Sequence, residues 1–215
     1  ACQAPSNSYQ GYIVVTDLIL FYPRPGPPSS PTQPIYVGVA DLQATFYHRA
    51  DGAATWRAVP GQPTGLLPHH GVLSSNGYLY VSYSDGVGPY DGTKGDVWKF
   101  DTAAGQWTNI SPVPSSSSDN YYGYGGLAVD AQHPDTIMVA SLNSWWPDAI
   151  IFRSTDGGAS WSRIWDWDGY PNRTLRYTQD ISAAPWLDWD ENPPPPEIRP
   201  KLGWMIGDLE IDPFN

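Results

Sequence analysis

Three observations predict an all-β chain of the β-propeller type: one complete turn motif of Ser, Asp, Gly and Trp, a repeat of about fifty residues that carries it, and the absence of any helical period. The complete motif, an Asp-box, is Arg153-Ser154-Thr155-Asp156-Gly157-Gly158-Ala159-Ser160-Trp161. Its chemistry is that of a tight hairpin. The aspartate accepts backbone N–H bonds, the glycines take positive φ, and the tryptophan opens the returning strand as a packing anchor. Partial copies follow the same logic: Asp51 and Trp56 keep the separation of Asp156 and Trp161, and Asp101 and Trp107 keep it with one residue added.

The elements fall in order around these turns. The proline-rich stretch 22–34 cannot be a strand interior, because proline removes a ladder donor and fixes φ, so it is a surface loop. Short apolar strands follow at Ile35–Val39, Leu79–Tyr83 and Ile137–Ser141, each with a second strand before the turn, such as Asp96–Phe100 and Ala149–Arg153. After each repeat tryptophan the chain runs Trp-x-x-Val/Ile, giving Val59, Ile110 and Ile164. An opening strand recurs at Gly126–Asp130 and again at Gly207–Asp212. The unit is a blade of up to four antiparallel strands. Pro68-His69-His70 reads as a loop before a strand at Val72, 111–120 as a polar loop, and Pro193–Pro196 as a stiff extended segment. The section 165–206 is a long insertion, too aromatic for disorder, which marks it as functional.

Residues 1–215 thus form one partial propeller of three to four blades. Three blades and an opening strand do not comfortably close a ring, so the expectation is a piece of a larger or nicked propeller, against an unusually small closed ring. The start, Ala1-Cys2-Gln3-Ala4, lacks a signal peptide, which fits a processed chain or an internal fragment.

A net charge of −11 with only three lysines argues against a nucleic-acid partner. The acidity, with heavy Trp and Tyr use, suits a secreted protein handling neutral polymers, and equally suits simple solubility. No apolar run reaches membrane-spanning length, and Cys2 alone makes no internal disulfide. Asn109-Ile110-Ser111 and Asn172-Arg173-Thr174 are glycosylation sequons.

The 11 tryptophans and 14 tyrosines divide into two populations. Trp56, Trp107 and Trp161 occupy the repeat position and are expected in the core. Trp145 and Trp146, in Asn143-Ser144-Trp145-Trp146-Pro147-Asp148, sit between two strands on a loop, where flat indoles offer the surface on which sugar rings stack. The other reading tucks them under the neighbouring blade. Tyr121-Tyr122-Gly123-Tyr124 leads into an opening strand; Tyr121, Tyr122 and Tyr124 read equally as ligand contacts or as blade packing, Tyr122 and Tyr124 being the binding candidates, and Trp186 in the insertion is a further one. His69 and His70 point opposite ways on an extended segment, so they are expected to hydrogen-bond; no metal site and no cofactor are expected. Asp51, Asp101 and Asp156 are turn formers. Asp85, Asp91, Asp96, Asp148, Asp166, Asp168, Asp180, Asp188 and Asp190 lie near loops with no pairing legible for glycoside chemistry.

Together, residues 34–41, 59–71, 88–99, 143–148 and 170–187 resemble the family 74 glycoside hydrolases, the xyloglucanases, over about 31–215; residues 1–30 fit the family poorly. The resemblance implies a secreted protein of two seven-bladed propellers with a cleft between them that binds xyloglucan, a plant cell-wall polysaccharide, and cleaves its β-1,4-glucan backbone with inversion. This chain would be the later part of the first propeller, its partner the remainder of the parent chain with the second. The family's catalytic aspartates come from an Arg-Thr-Asp-Ile-Gly-Gly type motif and from the second propeller. Neither is found here; Asp17 and Asp208 are superficial echoes. Trp145 and Trp146 match the family's paired stacking tryptophans. The alternative function is a non-catalytic, lectin-like glycan-binding propeller. An Asp-box sialidase would need an arginine cluster, and the eight arginines form no assignable constellation.

Overall fold

The computed structural model describes residues 19–21, 35–40, 43–50, 53–88, 90–144, 149–168, 174–176 and 205–212. These hold thirteen strands in three sheets. The first sheet contains β1 (Ile19–Phe21), β2 (Ile35–Gly38), β3 (Phe46–Arg49) and β4 (Arg57–Ala58). The second contains β5 (Leu67–Leu73), β6 (Tyr78–Ser84), β7 (Val97–Asp101) and β8 (Gln106–Asn109). The third contains β9 (Tyr124–Val129), β10 (Ile137–Ser141), β11 (Ile151–Ser154), β12 (Ser162–Asp168) and β13 (Thr174–Arg176). Every pairing is antiparallel and spatial order follows chain order, so each sheet is a meander.

Strand β6 shows how the sheets stack. Its side chains alternate between faces: Leu79, Val81 and Tyr83 join Tyr36 and Phe46 of the first sheet in one core, while Tyr80 joins Leu127, Val139 and Phe152 of the third sheet in another. A strand buried on both faces reads as a near-continuous apolar run. The first strand of each sheet lies beside the first strand of the next, β1 by β5 and β5 by β9. The last strands of the first two sheets are exposed, β4 throughout and β8 nearly so.

The Asp-box forms as its residues dictate. Asp156 Oδ1 accepts from the Ser154 hydroxyl (2.7 Å) and Ser160 N–H (2.9 Å), and Gly158 N–H donates to Ser154 Oγ (2.9 Å). Gly157 and Gly158 have φ of 68° and 89°. The turn docks on the second sheet through Trp161 Nε1, which donates to the Ile110 carbonyl (2.7 Å), and through Lys99 Nζ, which donates to the Gly157 carbonyl (2.9 Å). The Ser160 hydroxyl, then Ser160 N–H and the Ser154 hydroxyl, hold the Asp156 carboxyl down from 3.8 to about 2. A depressed carboxylate contributes stability above its unfolded pKa and loses it as pH falls through the folded value. Asp156→Asn is therefore expected to lower the thermal midpoint at neutral pH, and the gap from the unmodified protein should close between about pH 4 and pH 2. Thermal unfolding of both proteins across that range checks it; a gap independent of pH would sink the account.

Several expectations are corrected. Trp56 is 43% exposed, because β4 after it is only two residues long and no further strand among the described residues pairs beyond it; the Arg49 guanidinium lies 5.3 Å from the centre of its ring. Trp107 and Trp161 are half-buried at the core margins. His69 and His70 belong to β5, not to a loop. Pro68 is tolerated there because β5 is an edge strand and its register shifts between Pro68 and His70. Residues 207–212 carry no ladder, since no following strand among the described residues pairs with them. Ile206, just before, bonds at the β9–β10 irregularity, its N–H donating to the Ser141 carbonyl (3.3 Å) and its carbonyl accepting from Gly126 N–H (2.9 Å). The inserted section starts as structure: β12 runs to Asp168 and pairs with β13, giving the third sheet a fifth strand.

Candidate functional site

A meander sends alternate connections to opposite ends of its sheet. Tight connections, 74–77, 102–105, 130–136 and 155–161, fall at one end, and the longer ones, 85–96, 110–123 and 142–150, gather at the other. The long-loop end carries the segment read as a binding loop.

Its loops are fixed by side-chain clamps. Asp85 accepts from Thr93 N–H (2.7 Å), the Thr93 hydroxyl and Lys94 N–H (3.0 Å). Burial raises its pKa, but these donors outweigh burial and the carboxyl titrates below the ordinary range. Asp96 accepts from the Ser111 hydroxyl (3.1 Å), Ser115 N–H (2.7 Å) and the Ser115 hydroxyl (2.8 Å); Asp91 accepts from Gly88 N–H. Asn120, buried, donates to the Gly95 (2.6 Å) and Val113 (2.8 Å) carbonyls and accepts from Gly123 N–H (3.2 Å).

Asn143 joins the loops to one another. Its Nδ2 donates to the Gly92 carbonyl (2.8 Å) and its backbone N–H to the Tyr122 carbonyl (2.9 Å), so one residue touches all three connections. The base of the 142–150 loop is closed where Ser141 N–H donates to the Ile150 carbonyl and Ile150 N–H to Ser141 Oγ, both at 2.9 Å. Ser144 and Ala149, on either side of residues 145–148, are buried. Trp145 and Trp146 themselves lie outside the described residues, as does Trp186.

The tyrosine pair is corrected by burial. Tyr122 is 1% and Tyr124 0% exposed, and their rings meet edge-on at 5.7 Å. The Tyr124 hydroxyl donates to the Val113 carbonyl (2.8 Å), and burial pushes the Tyr122 hydroxyl up to about 12. Neither offers a ring face to a ligand; both are packing between the second and third sheets. Among the described residues the exposed tyrosines of this end are Tyr121 (50%), which the sequence reading weighed with its neighbours, and Tyr90 (70%), which it missed. The available signal is the spacing of Tyr122 and Tyr124, which sets them apart from Tyr121.

His69, whose pKa is lowered by burial, contacts the Gly86 carbonyl at 2.8 Å, and His70 lies 3.5 Å from Asp208. Asp208 is exposed and accepts from Leu209 N–H (2.8 Å). Among the described residues no three of His, Cys, Asp and Glu come together. Asp17, Asp51, Asp148, Asp180, Asp188 and Asp190 lie outside the described residues, and the side chains of Asp166 and Asp168 are not described.

The molecule is thus of the class of all-β proteins built from stacked antiparallel meanders, with its longer loops tied into one layer. No family model matches the chain. A xyloglucanase of Paenibacillus sp is 67% identical over 213 residues, 99% of this chain and 21% of that protein. Xyloglucanase Xgh74A of Acetivibrio thermocellus is 59% identical over 212 residues, 98% of this chain and 25% of that protein. The crystal structure of the GH74 xyloglucanase from Xanthomonas campestris matches with a TM-score of 0.65 at 36% identity, covering 88% of this chain and 24% of that one. The chain therefore belongs to glycoside hydrolase family 74. It spans 21–25% of the length of these curated relatives.

Proposed function

We propose that this segment is part of a secreted, inverting endo-β-1,4-glucanase acting on xyloglucan, and that it supplies substrate-stacking surface rather than the catalytic pair. The observation that carries the reading is 67% identity across 99% of the chain with a protein named xyloglucanase. In this reading the three sheets are blades of the first of two seven-bladed propellers, supported by the side-by-side first strands β1, β5 and β9. Trp145, Trp146 and Trp186 stack on glucosyl units of the polysaccharide in the cleft. The acid and base come from residues outside this chain. Such a pair, about 6.5–9.5 Å apart, protonates the leaving oxygen and activates one water in a single displacement.

The carboxylates with described partners support that division, because Asp85, Asp91, Asp96, Asp101, Asp130 and Asp156 accept backbone or hydroxyl donors that hold turns and loops. The test is hydrolysis of xyloglucan by the full-length protein, with the anomer of the new reducing end followed by NMR from the first minutes. The α-anomer should appear first; the β-anomer would overturn inversion. The same carboxylates favour a second reading, a non-catalytic glycan-binding propeller, and binding without any hydrolysis would select it.

A further inference from the structure

We infer that Asn76 is a site of spontaneous covalent modification, its carboxamide converted to a carboxyl group after attack by the Gly77 backbone nitrogen; this does not depend on the function just proposed. Asn76 is the only asparagine of the chain followed by glycine. It lies in the exposed 74–77 turn between β5 and β6, where Gly77 has φ of 85° and no side chain to shield its nitrogen. Tyr78 N–H donates to Asn76 Oδ1 (3.2 Å). A donor on this oxygen stabilises the charge that develops there during attack on Cγ. Gly77 N–H is bonded to the Ser74 carbonyl (3.1 Å), so attack follows local opening of the turn, which an exposed turn undergoes readily.

Water is the only co-reactant. The Gly77 nitrogen loses its proton to solvent base and bonds to Asn76 Cγ; the Cγ–Nδ2 bond breaks, Nδ2 takes a proton from solvent, and ammonia leaves a cyclic imide. Water then adds at Cγ to give aspartate, or at the backbone carbonyl carbon to give isoaspartate, whose main chain runs through the side chain. Asn109 is the internal comparison. Its Oδ1 likewise accepts from the N–H two residues on, that of Ser111 (2.9 Å), but the nitrogen between belongs to Ile110, which is β-branched, buried and bonded to the Val97 carbonyl (2.9 Å). Asn120 and Asn143 are buried, with Nδ2 bonded to loop carbonyls. The product disturbs neighbouring turns. Asn76 Nδ2 donates to the Pro134 carbonyl of the 130–136 turn (3.5 Å), and the Gly77 carbonyl accepts from Thr102 N–H (3.2 Å) and the Thr102 hydroxyl (2.6 Å). Conversion turns the amide donor into a carboxylate facing a carbonyl oxygen, and the isoaspartyl form also lengthens the main chain just before Gly77.

The experiment is incubation of the folded full-length protein at mildly alkaline pH in water enriched in heavy oxygen, with peptide mass mapping over days. The peptide holding Asn76 should exchange its amide for a carboxyl carrying one heavy oxygen, as a mixture of aspartate and isoaspartate, at least roughly tenfold faster than the peptide holding Asn109. The same conversion should appear as a more acidic band on isoelectric focusing, absent from an Asn76→Gln protein, whose longer side chain closes the ring far more slowly. An intact Asn76 in the folded protein, under conditions where the denatured chain converts, would show that the turn protects it and overturn the inference. Conversion of Asn109 at the same rate would overturn the role given to the Gly77 nitrogen. Aspartate without any isoaspartate would mean direct hydrolysis by water and overturn the cyclic route.

Discussion

Replacing Trp145 and Trp146 together by alanine is expected to weaken binding of xyloglucan oligosaccharides by about 1–3 kcal/mol, roughly 5- to 150-fold in Kd. The size of the effect comes from the stacking that two indoles provide, and its location from the scaffold. The loop that carries the pair has its base closed by the Ser141–Ile150 bonds and its N-terminal side pinned through Asn143 to two neighbouring connections. Residues on either side, Ser144 and Ala149, are buried, so the alanine pair should leave the sheets intact and the thermal midpoint close to that of the unmodified protein. Unchanged affinity with a lowered midpoint would show that the tryptophans are packing groups, the other reading that the sequence allows.

Gly95→Ala should produce the largest loss of stability among single conservative changes at the long-loop end. A Cβ at this position would collide with the Tyr83 carbonyl oxygen and stand 3.0 Å from Gly123 Cα, and both are backbone atoms that no rotamer change can move aside. The Gly95 carbonyl also receives one of the Asn120 amide bonds, so displacing it disturbs the clamp on Gly123. Overpacking that forces a backbone shift costs about 3 kcal/mol. For a unit of this size that corresponds to a thermal midpoint lower by roughly 6–12 °C. Gly207→Ala is the matched control, since no atom of the described residues lies within 4 Å of its would-be Cβ, and its midpoint should hardly move. Equal midpoints for the two variants in thermal unfolding would refute the steric argument.

Much of the fold is legible because its signals are local. The Asp156 turn forms from the hydroxyls, N–H groups and glycines of the same nine residues. Asp101 accepts from Ala103 and Ala104 N–H by the same short-range chemistry, so a partial copy of the motif still makes the turn. The strands at 35–38, 78–84 and 137–141 follow from apolar runs bounded by such turns, and the Trp145–Trp146 segment falls on a connection because strands flank it on both sides.

What remained illegible depends on partners distant in sequence. Pro68 argues against a strand by its own chemistry, yet β5 runs through it because an edge position and a register shift remove the need for its missing N–H. Trp56 keeps the repeat position of Trp161, but Trp161 meets the Ile110 carbonyl of the neighbouring sheet while Trp56 lies at the outer edge of the first sheet, just before β4. Tyr121, Tyr122 and Tyr124 are the same residue type within four positions, and only the docking of the third sheet on the second determines which faces water. Turn chemistry and side-chain alternation act over a few residues, so the repeat, the turns and the strand order are written in the chain itself. The exposed faces and the Asn143 junction come from the folded arrangement alone, because burial and loop-to-loop bonding are set by chain segments about fifty residues apart.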